Sequence, residues 1–146
     1  MQDISATGLE VTIIAIPTFP QGLKVTQFAD DADPLDSSAI NVTEYGMGLN
    51  GDLVTWSAPK PLPITLNVIA NTDDDKNLSI LLDTNTVAKG KLSVKDVLQM
   101  ILRYPDGTRK VLTNGRITSG QIIPGAASSG RLKSRQYQFI FENKIN

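Results

Sequence analysis

Short segments in which apolar and polar residues alternate run along the whole chain and are separated by turn residues. In the segment 9–16, the odd-numbered positions are all apolar: Leu9, Val11, Ile13 and Ala15. A period of two places these side chains on one face of a β-strand. The same alternation predicts about eight or nine short strands, at 9–16, 23–28, 40–49, 53–57, 64–70, 98–104, 109–113, 116–123 and 136–142.

Turn and cap residues place the connections and one helix. Asn50-Gly51 is typical of a tight hairpin, because both of its residues tolerate positive φ. Thr72, followed by three aspartates, is typical of a helix N-terminus, and Leu78, Leu81 and Leu82 then fall on one helical stripe. The segment 93–104 is compatible with a capped helix or with a strand. Its alternation favours a strand, which forms a hairpin with the strand 109–113 through the turn 105–107.

These elements predict one mainly β domain over residues 1–146, an antiparallel β-sandwich or open barrel with one flanking helix. Only 5% of the residues are aromatic, so the core must rest on Ile, Leu and Val. The stretch 58–63 holds three prolines and is expected to lie outside any strand.

The chain has neither cysteine nor histidine. This excludes disulfides, thiolate metal sites, cysteine nucleophiles and triads that depend on histidine. We therefore expect no enzyme activity and no cofactor. The N-terminus has no basic segment and the apolar run 11–16 is short, so neither a secretion signal nor a membrane span is expected.

Two motifs suggest ligands at first sight. The acidic loop of Asp30, Asp31, Asp33 and Asp36 could bind a cation, but its spacing does not match an EF-hand, which favours a solvated loop. Gly46, Gly48 and Gly51 match GxGxxG. No helix is predicted after them, so the glycines are assigned to a hairpin rather than to a phosphate site.

Charge is distributed unevenly along the chain. Residues 1–75 hold eleven acidic side chains against two basic ones, whereas residues 76–146 hold twelve basic against four acidic. Folding could mix the two halves, or it could leave a polarised subunit whose unlike faces meet in an assembly. The pI near 5.3 argues against a dedicated nucleic-acid binder.

The order of parts in the first 85 residues resembles the tail tube proteins of contractile-tailed bacteriophages. The resemblance rests on a strand pair, the run Glu44-Tyr-Gly-Met-Gly48, the hairpin Asn50-Gly-Asp-Leu-Val54, the strand Ile64-Thr-Leu-Asn-Val-Ile69 and the helix carrying Asn77-Leu-Ser-Ile-Leu-Leu82. Members of that family have two antiparallel sheets with a flanking helix, and six subunits form a ring.

The resemblance implies a structural virion protein, assembled in the host cytoplasm, whose stacked hexameric rings form the tail tube for DNA ejection. Its partners would be copies of itself, tail sheath and baseplate proteins, and double-stranded DNA that passes without specific binding, with no membrane. It implies an inter-subunit or inter-ring loop at Gly46, Met47, Gly48, Leu49, Asn50, Gly51, Asp52 and Trp56. It also implies lumen-facing acids among Asp30, Asp31, Asp33 and Asp36, and a flexible assembly loop containing Gly125, Ser128, Ser129, Gly130 and Arg131.

Two other functions remain open from the residues. A monomeric β-sandwich that binds carbohydrate or peptide would expose an aromatic patch. A small hydrolase could use paired carboxylates alone. Trp56 fits either a core position or an interface anchor.

Overall fold

Nine strands and one helix make up the part of the chain that the computed structural model describes, residues 7–30 and 32–145. In chain order they are β1 (Glu10–Ile16), β2 (Phe19–Val25), β3 (Leu35–Asp36), β4 (Glu44–Met47), β5 (Leu53–Trp56), β6 (Leu62–Val68), α1 (Asp73–Thr84), β7 (Val97–Arg103), β8 (Arg109–Gly120) and β9 (Arg135–Ile145).

Seven strands form one antiparallel sheet in the order β2-β1-β7-β8-β9-β6-β3. The sheet is curled, because the chain that leaves β2 crosses to the opposite edge, where Phe28 forms a bridge with Val68 of β6. The Ala29 amide donates to the Asn67 carbonyl at 2.9 Å beside this bridge. The mainly β, barrel-like fold with one helix is therefore confirmed.

The core lies inside the curl. The alternating residues of β1, β7 and β9 point inwards, as their burial patterns show. The largest fully buried side chains include Tyr137, Phe139 and Phe141 of β9 and Leu78 and Leu81 of α1. The helix thus covers the concave side of the sheet with the stripe of leucines that the sequence indicates.

Helix α1 begins at the position that Thr72 and the three aspartates predict. The Thr72 hydroxyl accepts the amide of Asp75 at 3.3 Å, and the helix ends at Thr84, where Asn85 caps it. The Asn85 side-chain amide donates to the Leu81 carbonyl and to the Asp96 carboxylate, each at 2.8 Å. The end of the helix is therefore fixed by a tertiary contact.

The second layer differs from the sandwich that the sequence suggests. Among the described strands, only β4 and β5 lie outside the main sheet, as a two-stranded ribbon. Strand β2 is also shifted, since it spans Phe19–Val25 rather than 23–28. The predicted strands 109–113 and 116–123 are one strand, β8, because Asn114 at positive φ absorbs an irregularity without ending the strand.

Strand β6 begins at Leu62, inside the stretch expected to exclude strands. It tolerates Pro63 because the outer edge of β6 needs no donor at that position. Further along the same edge, Asn67 donates to the Pro34 carbonyl and Ile69 to the Gln27 carbonyl, each at 3.1 Å. Thr65 pairs with Asp36 of β3. This edge of the sheet is therefore covered by the chain itself.

Candidate assembly surface

The ribbon of β4 and β5 is closed by a tight turn. Gly51 donates to the Gly48 carbonyl at 2.9 Å, and Gly48 donates to the Asp52 carbonyl at 2.7 Å. Gly51 has a φ of 86°, whereas Asn50 is not among the described residues with positive φ. The turn is therefore centred on Leu49 and Asn50, one residue earlier than predicted, with Gly51 supplying the left-handed step.

Both faces of this ribbon are apolar and exposed. Met47 lies opposite Leu53 and Tyr45 opposite Thr55, which places these side chains on one face. Val54 and Trp56 lie on the other face. The exposed fractions are 73% for Tyr45, 53% for Trp56 and 104% for Leu49 at the tip. A two-stranded ribbon is marginally stable alone, and no other strand of the described chain pairs with this one.

Trp56 is consequently not a core residue. Its indole ring lies over Gly46, where an added Cβ would lie 3.8 Å from the Trp56 Cζ3 atom. At the base of the ribbon, Lys60 Nζ lies 2.9 Å from Glu44 Oε1. The GxGxxG residues lie in this ribbon and its turn, and strand β5 follows them, as the hairpin assignment requires.

The acidic loop does not form one site. Asp30 pairs with Arg131, whose guanidinium nitrogens lie 3.1 and 3.3 Å from its carboxylate oxygens. This hydrogen-bonded pairing lowers the pKa of Asp30. Asp33 and Asp36 are exposed, and Asp31 lies outside the described residues. Within residues 7–30 and 32–145, no acidic cluster has the geometry to hold a metal ion.

The loop that contains Gly125, Ser128, Ser129, Gly130 and Arg131 carries its own hydrogen bonds. Ala127 donates to the Arg131 carbonyl at 2.8 Å, and Gly130 donates to the Ala127 carbonyl at 3.1 Å. The two serines are exposed. A role for this loop in assembly stays a prediction.

Three buried aspartates form tertiary contacts that the sequence analysis did not foresee. Asp74 accepts the amides of Thr26 and Gln27, each at 2.8 Å. Asp96 accepts the Thr18 amide at 2.9 Å. Both join elements distant in the chain, whereas a first-turn carboxylate such as that of Asp74 would be expected to face solvent.

Asp75 is the third of them and belongs to a buried cluster. Its carboxylate lies 3.5 Å from a guanidinium nitrogen of Arg135 and accepts the Tyr137 hydroxyl at 2.8 Å. Arg135 also stacks on the Tyr137 ring at 5.6 Å and donates to the Gln121 carbonyl. Arg135 is therefore a basic residue of the second half that is buried and adds no charge to the surface. Arg135 lies two residues before Tyr137 in β9, so both side chains point to the same, buried face of the strand. This spacing could have indicated that Arg135 is buried.

The two oppositely charged halves of the sequence mix in part. Asp30–Arg131 and Asp75–Arg135 each join an acid of the first half to a base of the second.

Within the described residues, α1 is the one helix, and it is too short and too polar to cross a membrane.

Within the part of the chain that the structure describes, the outer edge of β2 is an open edge of the main sheet. Among the described residues, none donates or accepts a backbone hydrogen bond on the side of Phe19–Val25 that faces away from β1. Pro20 and the irregular register with β1 interrupt this edge. The open backbone and the two-faced ribbon are the surfaces through which this chain could assemble.

Comparison with known proteins agrees with a tail component. A family model described as "Tail fiber protein gp32" matches residues 2–145. No curated protein sequence matches the chain. The fold is similar to that of a chain in the anti-feeding prophage tube-terminating cap, with 16% identity, a TM-score of 0.59, and coverage of 99% of this chain and 91% of that one.

Two further structures have the same fold. A chain of the sheath/tube terminator of the extracellular contractile injection system PVC has 13% identity and a TM-score of 0.55, over 99% of this chain and 96% of that one. A chain of the anti-feeding prophage baseplate has 8% identity and a TM-score of 0.52, over 99% and 95%. At these identities the likeness concerns the fold.

Proposed function

The chain belongs to the tail fiber protein gp32 family, and from this premise we propose that it is a ring-forming structural subunit at the tube of a contractile tail. The family description names a tail fiber protein rather than a tube protein, so the tube assignment is our proposal. Hexameric rings either stack to form the tube or close its end. The fold likeness to a tube-terminating cap and to a sheath/tube terminator supports the position at the end of the tube.

One observation carries this proposal. Six large apolar side chains stand exposed on a ribbon with no core of its own: Tyr45, Met47, Leu49, Leu53, Val54 and Trp56. Contiguous apolar surface of this kind marks an interaction site. A projecting element that is apolar on both faces fits between two neighbours, and such head-to-tail contacts close a ring.

The remaining assignments follow from the resemblance to tail tube proteins. Asp30, Asp33 and Asp36 face the lumen and repel passing double-stranded DNA, with the charge of Asp30 offset in part by Arg131. The loop of Gly125, Ser128, Ser129, Gly130 and Arg131 adjusts on assembly. Sheath and baseplate proteins contact the outer surface of the assembly in the virion. Neutralising Asp33 and Asp36 together should slow genome ejection, and unchanged ejection would contradict the lumen assignment.

A monomeric carbohydrate- or peptide-binding module is the competing function. It would present its aromatic side chains in a concave site. Here Tyr45 and Trp56 lie on opposite faces of the thin ribbon, so they do not form one platform. The observation therefore favours assembly.

Negative-stain microscopy together with light scattering after gel filtration tests the proposed function. The wild-type protein should form rings, and tubes would indicate stacking. Deletion of residues 47–55 should leave a folded monomer of unchanged circular dichroism, because no residue of β4 or β5 belongs to the core. Rings formed by the deletion variant, or a wild-type protein that stays monomeric at high concentration, would refute the proposal.

A further inference from the structure

A small apolar cavity opens at the end of the curled sheet from which the ribbon departs. It has a volume of about 200 Å³, and its apolar wall includes Leu35, Ile64, Leu102 and Leu112. Ser37 and Leu62, which flank the segment carrying the ribbon, also line it. This volume is below that of drug-sized ligand pockets and suits one or two side chains.

Two lysines give the mouth of this cavity a positive charge. Lys110 is the cross-strand partner of Leu102, and Lys144 is the partner of Leu112. Neither lysine forms a salt bridge within the described part of the chain. An occupant with an apolar end and a carboxylate beside it would therefore match the cavity.

The tip of the ribbon has this chemistry. Leu49 is 104% exposed. Asp52 follows it across the turn, and no Lys or Arg occurs from Glu44 to Pro59. Glu44 is paired with Lys60, which leaves Asp52 as the charge of the tip without a salt bridge among the described residues.

The tip does not occupy the cavity of its own chain, since Leu49 is fully exposed. Building on the proposed function, we infer that the ribbon tip of one copy docks into this cavity of a neighbouring copy. Leu49 enters the apolar wall, and Asp52 pairs with Lys110 and Lys144. Tip and cavity differ, so the contact is head-to-tail and can propagate around a ring.

Disulfide cross-linking tests this contact directly, because the chain has no cysteine. A Leu49→Cys variant mixed with a Ser37→Cys variant should give a covalent dimer that joins the two variants under mild oxidation. Thr118→Cys, at an exposed position of β8, replaces Ser37→Cys in the control mixture and should not cross-link to position 49. The double variant Leu49→Cys/Ser37→Cys should give a ladder of oligomers that ends at the size of one ring.

Charge reversal gives the second arm. Asp52→Lys should lower the cross-linked fraction by at least about tenfold, since like charges oppose docking. Lys110→Glu with Lys144→Glu should do the same, and the combination with Asp52→Lys should restore cross-linking. The restoration cannot arise from misfolding of a single variant.

The outcomes separate this inference from the proposed function. If rings form normally but positions 49 and 37 do not cross-link, or if rings still form with Asp52→Lys, the cavity has another occupant. Such a result overturns the inference and leaves the proposed function intact. A protein that forms no rings under any condition overturns both.

Discussion

The hydroxyl group of Tyr137 donates a 2.8 Å hydrogen bond to the carboxylate of Asp75, and both side chains are buried. This bond joins the first turn of α1 to strand β9. Arg135 supplies the opposite charge at 3.5 Å. A buried carboxylate needs such partners, because an unpaired charge away from water is costly.

Tyr137→Phe should lower the free energy of unfolding by about 1.5–3 kcal/mol, the range for a hydrogen bond to a charged group. The ring and its packing against α1 are kept, so the loss measures the hydroxyl group. Urea unfolding followed by circular dichroism gives the value. Tyr45→Phe, at a tyrosine that is 73% exposed, is the matched control. Equal effects of the two substitutions would contradict this role of Tyr137.

The same tyrosine should make the fold sensitive to alkali. Burial, and secondarily the Asp75 carboxylate, raises the pKa of Tyr137 well above its ordinary value of 10.0. Above pH 10 the unfolded chain loses this proton while the native chain retains it, so stability falls as the pH rises. Urea midpoints measured between about pH 9 and 11 should fall less steeply in Tyr137→Phe than in the wild type. Parallel slopes would show that Tyr137 does not titrate in this way.

Asp74→Ala should destabilise the protein by about 1–3 kcal/mol, because two backbone amides lose their acceptor. Asp73 precedes it in the same first turn but is exposed. Asp73→Ala should therefore cost below about 1 kcal/mol, the contribution of an acid near a helix N-terminus. Thermal unfolding of both variants distinguishes the tertiary anchor from simple helix capping.

Alternation and capping predicted most of the main sheet and the helix. Strands β1, β7 and β9 carry strict period-two patterns, and Thr72 marks the start of α1. These signals depend on residues close in sequence. The curl of the sheet could not be predicted from such local signals, because it depends on the bridge between Phe28 and Val68, which are distant in sequence.

The alternation predicted the ribbon as a hairpin, and only the resemblance to tail tube proteins implied that it contacts another molecule. Alternating apolar residues look the same whether a sheet of the same chain or another molecule covers them. The roles of Asp74 and Asp75 were hidden for a similar reason, because first-turn aspartates are equally well explained by the helix dipole. Lys110 and Lys144 come from separate strands and meet at the mouth of the cavity, so no sequence motif indicates the cavity.

Gly115→Ala should destabilise the sheet by about 1–3 kcal/mol, as overpacking does. An added Cβ would lie 2.2 Å from Phe141 Cδ1 and 2.7 Å from the Ile140 carbonyl oxygen. The Phe141 ring packs on the bare backbone at this position. Gly125→Ala is the control, because its nearest neighbour is the Lys133 side chain at 3.5 Å. Thermal unfolding of both variants should separate them clearly, and equal midpoints would contradict the packing argument.

Substitution on either face of the ribbon should block assembly without affecting the fold. One double variant, Tyr45→Ser with Leu53→Ser, removes two of the three large apolar side chains of the first face and leaves Met47. The other, Val54→Ser with Trp56→Ser, removes those of the second face. A ribbon between two neighbours loses a contact in both cases, so each variant should raise the concentration needed for assembly at least about tenfold. Leu92→Ser, at a leucine outside the ribbon that is 85% exposed, controls for a general loss of surface hydrophobicity. Sedimentation velocity over a concentration series measures the shift, and circular dichroism should be unchanged in all three variants, because none of the substituted residues belongs to the core. Normal assembly by one of the double variants would show that the ribbon is covered on one face only, which contradicts its placement between two neighbours.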